Sequence, residues 1–384
     1  MQKRVIIVDF NHMAFNFYWM QSQTGMSCTV VENGQAVTKQ TGIQSGSIKN
    51  IHRWSKGGVY PTAVCFDRAV PARKLFFATA FPDMQLGTDS EYKGGREKMP
   101  DGMFEGIQDS ENILRRAGVS VFSQMGYEAD DLIYACVKRA KVKYPDYPID
   151  IITNDADLLP LVDEQVSVFL RSKVGTYAVS KDLEKNHYIQ VTPENFQDTV
   201  EHLSAFKGFT MPYNSVLLYK LLRGDPSDKY KRKDVSAMYS PKKWNAMIEN
   251  MLADGVDFAH IFRYGDPQYK ILYRDSGKEY EGTLKEALAS PDRDRLYQKI
   301  QNSKELDEIL RLLKEYSPIS DEQLEHVEKT YWGMNLNQIY PNSDKRCARR
   351  AYVVGTKATG DINPFDEIEL QKQLTPLRIH LRMN

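Results

Sequence analysis

The first half of the chain alternates between two polarity patterns. Nearly continuous apolar runs, "RVIIVDF" (residues 4–10), "TAVCFD" (62–67), "VSVF" (119–122) and "IDIITN" (149–154), read as buried strands. Between them, residues 42–54, 103–117 and 128–142 carry helical spacing, with Leu132, Ala135, Cys136 and Ala140 on one face of the last. Strands alternating with helices predict an α/β fold, a central and mostly parallel sheet flanked by helices. Further helical stretches fall at 193–204 and 213–222. From about residue 240 to 384 the pattern reads as mainly helical, clearest at 291–316 and 321–331. A boundary near residue 205 is expected, dividing an α/β unit of 1–204 from a helical region of 205–384.

No apolar run approaches the roughly 18 residues of a membrane-spanning helix, so a membrane protein of that kind is excluded. The opening "MQKRVIIVDF" runs into Asn11 and His12 and reads as a strand rather than a signal peptide. Hydrophobic content of 41% with 27% charged residues is ordinary for a soluble domain of this length. Cys28, Cys65, Cys136 and Cys347 are scattered and form no CxxC pair, so a reducing cytoplasm is expected, with no disulfide framework and no zinc site.

Charge adds more. The chain balances 51 basic against 51 acidic residues, which taken alone argues against a nucleic-acid partner. The acidic residues, however, collect where strands pass into helices. Asp9 ends the first strand and Asp67 the second, Glu128, Asp130 and Asp131 open the helix after the third, and Asp155 and Asp157 follow the fourth. Ligands of open α/β sheets bind beyond the C-terminal ends of the strands. Each carboxylate has a plain alternative as a helix cap or a dipole complement worth about 1 kcal/mol. A cap needs one carboxylate, whereas "EADD" and "DAD" supply five. Like charges so crowded call for cations. Oxygen ligands without nearby His or Cys clusters suit Mg²⁺ or Mn²⁺. Two such ions about 4 Å apart would activate water against a phosphodiester.

These motifs resemble the 5′ nuclease family of flap endonucleases and 5′→3′ exonucleases, with a PIN-like fold, and are most similar to phage-encoded members. The matching elements are "VDFN", "CFDR", "EYKGGREK", "YEADD", "TNDADLLPL" and "LLRGDPSDK", in family order across residues 4–229. The resemblance implies a first Mg²⁺ held by Asp9, Asp67, Glu128 and Asp130. It implies a second held by Asp131, Asp155, Asp157, Asp225 and Asp228, with Mn²⁺ able to substitute. Lys93 and Arg96 would stand on an arch at about 78–103 and contact the scissile phosphate. The long connection at 82–102 would then be a flexible lid. Tyr92 would either stack on a base or belong to the core. Pooling nine carboxylates at the metals would leave the 51 basic residues facing nine fewer acidic ones elsewhere, a surface able to hold a polyanion.

The chain departs from the family after Asp228. Lys229 stands where the family has Asn, and no glycine-rich turn follows, which puts a K⁺ site and the usual duplex grip in question. Lys229, Lys231, Arg232 and Lys233, with Lys242 and Lys243, offer either a replacement phosphate-binding surface or a solvated face. The expected function is 5′-end, flap or primer hydrolysis on branched or duplex DNA in replication and repair, beside a polymerase or single-strand-binding protein. If the chain is phage-encoded, this would take place in the host cytoplasm. The competing readings are a non-catalytic nucleic-acid-binding scaffold and a related ribonuclease. An aspartyl phosphatase fits poorly, since "DFN" lacks the second Asp of its signature.

Overall fold

The computed structural model describes residues 2–32, 34–67, 72–81, 83–84, 87–94, 99–124, 126–171, 184–185, 188–224, 239–261, 268–275, 278–282, 297–334, 336 and 361–382. Its centre is a seven-stranded sheet formed by β1 (Val5–Asp9), β4 (Thr62–Phe66), β5 (Ser120–Ser123), β6 (Ile149–Thr153), β7 (Val166–Arg171), β8 (Glu184–Lys185) and β9 (Tyr188–Val191). The spatial order is β5-β4-β1-β6-β7-β9-β8. The pairings from β5 through β7 are parallel, and β9 and β8 close one side antiparallel. Every residue of β1, β4 and β6 is buried, as expected of strands covered on both faces.

Alternation along β1 sorts the core. Val5 and Ile7 face one cluster and Ile6 and Val8 the other. The first cluster packs against α5 (Ala129–Lys143), α7 (Val216–Arg223), α8 (Pro241–Ala253), α10 (Lys304–Tyr316) and α11 (Asp321–Met334). The second packs against α1 (Phe10–Thr24), α2 (Gly42–Trp54) and α4 (Met103–Arg116). Short helices α3 (Ala72–Ala80), α6 (Phe196–Val200) and α9 (Phe258–Ile261) complete the layers, and a hairpin of β2 (Ser27–Glu32) and β3 (Gln35–Gln40) follows α1.

Two sequence expectations change here. The region after residue 240 is mostly helical, but it also holds a three-stranded antiparallel sheet of β10 (Gln268–Asp275), β11 (Lys278–Gly282) and β12 (Tyr297–Asn302). β12 lies in a stretch whose spacing reads as helix. The helix starts only at Ser303, whose hydroxyl caps α10 by accepting from the Leu306 amide. The last described segment also returns to the first. Residues 361–382, which include α12 (Glu367–Leu374), place Phe365, Leu370, Leu374, Ile379 and Leu381 in the second core cluster. Asn363 bridges to Thr62 at the start of β4, the Phe365 amide donates to the Gly58 carbonyl, and the Tyr144 hydroxyl donates to the Ile362 carbonyl. Among the described residues, no helix is long and apolar enough to cross a membrane.

Candidate active site

The chain runs from β1 out through β4 to β5 on one side and then crosses back to β6 on the other side of β1, so the order reverses between β1 and β6, the usual place for a ligand crevice in an open sheet. A cavity of about 400 Å³ opens there, lined by Asp9, Asp67, Glu128, Asp130, Asp155 and Asp157. Lys93, His12 and Phe15 also line it.

Local structure explains how each carboxylate arrives. Asp9 is the last residue of β1 and is buried, and its Oδ2 accepts from the Thr153 hydroxyl at 2.8 Å, tying the ends of β1 and β6 together. Asp67 follows β4 and opens toward the cleft; its Oδ1 accepts from the Ala129 amide at 2.7 Å, at the first turn of α5. Asp155 caps a short 3₁₀ helix (Ala156–Leu161) by accepting from the Asp157 amide at 2.8 Å. Glu128 caps α5, and its amide donates to Asp131 Oδ2 at 3.1 Å. The capping roles and the cleft roles thus belong to the same residues.

Asp131 stands apart from the other carboxylates. It does not line the cavity. Its Oδ1 accepts instead from Arg73 at 2.6 Å, and the same guanidinium reaches Glu128 Oε2 at 2.9 Å. Arg73, on α3, is itself buried, so the three groups form an internal ion cluster beneath the cleft. Lys93 pairs with Glu128, Lys220 with Asp157, and His12 Nδ1 lies 2.5 Å from Asp9 Oδ2. Spacing along the chain gives no sign of Arg73 or Lys220, whose partners lie far away in sequence. His12, one helical turn from Asp9, is the missed residue that a helical reading of the "DFNH" junction would have found.

The electrostatics follow from this crowding. Burial first, then the charges of Asp9 and Glu128, push the Asp67 carboxyl up to about 6. Burial raises Asp131 to about 6 against the pull of Arg73. Asp130 is pushed well above the usual carboxylate range by burial and by Asp155 and Asp9. His12 moves the other way in charge: the Asp9 carboxylate holds its imidazolium up to about 10, against the effect of burial.

Lys93 adopts a left-handed backbone, with φ of 58°, rare for a side chain of this kind. Its side chain lines the cleft, where its ammonium pairs with Glu128. Of the two readings of the neighbouring Tyr92, base stacking or core, its surroundings here are those of the core. It is 2% exposed and stacks on Phe77 with ring centroids 4.8 Å apart, so no base reaches its face in this arrangement. The turn around Lys93 is also anchored rather than loose where described: Lys74 holds Glu91 at 2.6 Å, and Glu91 accepts from the Gly87 amide at 2.9 Å. Arg96, Asp225, Asp228, Lys229, Lys231, Arg232 and Lys233 lie outside the described residues.

Among the described residues, no three acidic, His or Cys side chains form a ready-made metal cage. The cavity's carboxylates nevertheless fit hard cations. They are oxygen donors only, crowded enough to repel one another's charge, and three of them are already met by the cations Lys93, Lys220 and His12.

Sheet order and acidic crevice together define an α/β domain with its candidate site beyond the C-terminal ends of the parallel strands. Residues 4–188 match the family model described as "5'-3' exonuclease, N-terminal resolvase-like domain", so this part of the chain is similar to that family. Relatives include a 5'-3' exonuclease of Mycoplasma pneumoniae, 34% identical over 154 residues, covering 40% of this chain and 46% of that protein. DNA polymerase I of Lactococcus lactis is 28% identical over 144 residues, 37% of this chain and 14% of the polymerase. The chain therefore spans less than half the length of these relatives. Among solved structures, T5 D15 protein co-crystallised with metal ions aligns over 98% of this chain and 100% of its own, at 14% identity and a TM-score of 0.49.

Proposed function

We propose that the chain is a metal-dependent 5′ nuclease that hydrolyses phosphodiesters at 5′ ends, flaps or primers of branched or duplex DNA during replication and repair. One observation carries the reading: six carboxylates from four strand-to-helix junctions line one cavity with Lys93. Asp9, Asp67, Glu128 and Asp130 would hold one Mg²⁺ or Mn²⁺, and Asp155 and Asp157, with Asp131, Asp225 and Asp228, a second. Bound there, such ions supply Lewis acidity and a more acidic water. A charged group that reaches the same cavity from an anchored turn can meet negative charge developing on a phosphoryl oxygen, and Lys93 is that group. The Asp9–Thr153 hydrogen bond fixes the seam on which the carboxylates sit. Arg73 holds Glu128 from beneath, and so orients it without touching substrate.

The same reading divides the chain near residue 205 into a nuclease core, with its arch at 78–103, and a helical DNA-binding region. It gives the chain a DNA substrate and a cytoplasmic setting beside a polymerase or single-strand-binding protein. The polymerase I relatives support that company. The test is cleavage of a 5′-labelled flap duplex in Mg²⁺, with EDTA and Asp155→Asn as controls. Short labelled products lost in both controls are expected. Bound but uncut substrate in Mg²⁺ and in Mn²⁺ would leave a DNA-binding scaffold.

A further inference from the structure

A second large cleft, of about 840 Å³, lies away from the acidic one. It is bounded by the C-terminal half of α2, the turn after it and the end of the returning segment 361–382. Lys49 and Arg53 on α2, Lys56 in the turn and Arg382 on the opposite wall line it, and among the described residues no carboxylate does. Lys49 and Arg53 are exposed and stand four residues apart, on one helix face. His52 lies beneath them, buried and paired with Glu367 of α12, so the two walls are joined below the cations.

Its place is fixed by topology. The turn after α2 leads into Thr62, the first residue of β4, whereas Asp67 in the acidic cavity follows the last. The two clefts therefore face opposite ends of the sheet, about 15 Å apart along a five-residue strand. The dipole of α2 favours cations at its C-terminus and accounts for part of the cluster. It does not account for Arg382, which another segment delivers. In a chain whose charges balance overall, four Lys and Arg without a lining carboxylate make a local excess that a regular polyanion would neutralise.

The rest of the lining selects among anions. Besides His52 and His380, the described lining adds Val59 and Leu381, so among the described residues no Phe, Tyr or Trp lines the cleft to stack a base or to seat a peptide's anchor. We propose that this cleft holds the phosphodiester backbone of nucleic acid, read by charge and without base contacts, at a site separate from the acidic cavity. The inference shares with the proposed function only a nucleic-acid partner and requires no cleavage.

The test is binding in EDTA, followed by fluorescence anisotropy across a salt series, for the full chain and a Lys49→Glu, Arg53→Glu, Lys56→Glu, Arg382→Glu variant. Duplex rises about 3.4 Å per base pair, so a flap duplex of about 40 base pairs, about 136 Å long, presents far more backbone phosphates than a short one of about 8 base pairs, about 27 Å long. On the long duplex the variant should lose affinity by about tenfold or more, with a salt slope shallower by about 3. On the short flap duplex in Mg²⁺, its cleavage rate should match the parent. Should the variant fail to fold, Lys49→Gln with Arg53→Gln takes its place, with a proportionate loss. Unchanged affinity and salt slope would overturn the inference, as would loss of an acidic peptide's binding with DNA binding intact. Absent cleavage together with charge-dependent binding would remove the proposed function and leave this site standing.

Discussion

Lys93 joins backbone strain to a half-buried charge. A residue of its type is held at φ of 58° only when its surroundings over-determine it, and here the Tyr92–Phe77 stack behind it and the Glu91–Lys74 pair beside it do so. With Glu128 as its present partner, the ammonium neutralises a carboxylate assigned to a metal, and would exchange that partner for a phosphoryl oxygen during the reaction. Lys93→Ala should therefore lower turnover by about 10² or more while flap binding in EDTA changes little, since the lost contact matters most in the transition state. Single-turnover rates beside equilibrium anisotropy check this, and equal losses in both would make Lys93 a binding residue. Residues of this kind show the limit of reading a sequence. Asp9, Asp67, Glu128, Asp130, Asp155 and Asp157 are legible because strand ends announce where they fall. Arg73 looks like any surface arginine until the fold buries it between Glu128 and Asp131.

At the level of elements, the cleft's shape depends on how closely α1 and α2 approach, because α1 begins at the end of β1. Gly46 makes the approach possible: a Cβ there would come within 2.1 Å of the Phe17 ring. Gly46→Ala should destabilise the protein by about 1–3 kcal/mol through overpacking. Urea unfolding would measure it, and a neutral result would mean that Phe17 swings aside without cost. The strands and helices that carry the site follow their sequence patterns to within about one residue, because buried parallel strands are apolar throughout and their helices have one clear face. The pattern fails where elements are half-solvated. All of β3 is exposed or nearly so, leaving no apolar alternation to mark it, and the polar run of β12 merges by eye into α10. The return of residues 361–382 to the second core cluster is a long-range contact that no local pattern encodes.

For the molecule as a whole, the carboxylate crevice links stability to pH and to cations. Asp67 and Asp131 hold protons up to about 6 in the fold, above the ordinary value of 3.8, so between about pH 4 and 6 the metal-free fold binds more protons than the unfolded chain and loses stability as pH rises through that range. His12 acts in the same direction at higher pH. Its value is raised from 6.5 to about 10, so its contribution is complete below 6.5 and is lost as pH rises through 10. In EDTA the melting temperature should thus be higher near pH 5 than near pH 8. Added Mg²⁺ should raise it at pH 8 far more than at pH 5, because carboxylates must release protons to bind a cation. Melting curves at both pH values, with and without Mg²⁺, check this. A Mg²⁺ effect equal at both would detach the ion from these carboxylates. The returning segment has a bearing on how the protein is made. Phe365, Leu370 and Leu374 complete a core that α1, α2 and α4 begin, so on the ribosome the early helices wait with an apolar face uncovered until some 360 residues have been added. During synthesis that face is where chaperones would be expected to bind.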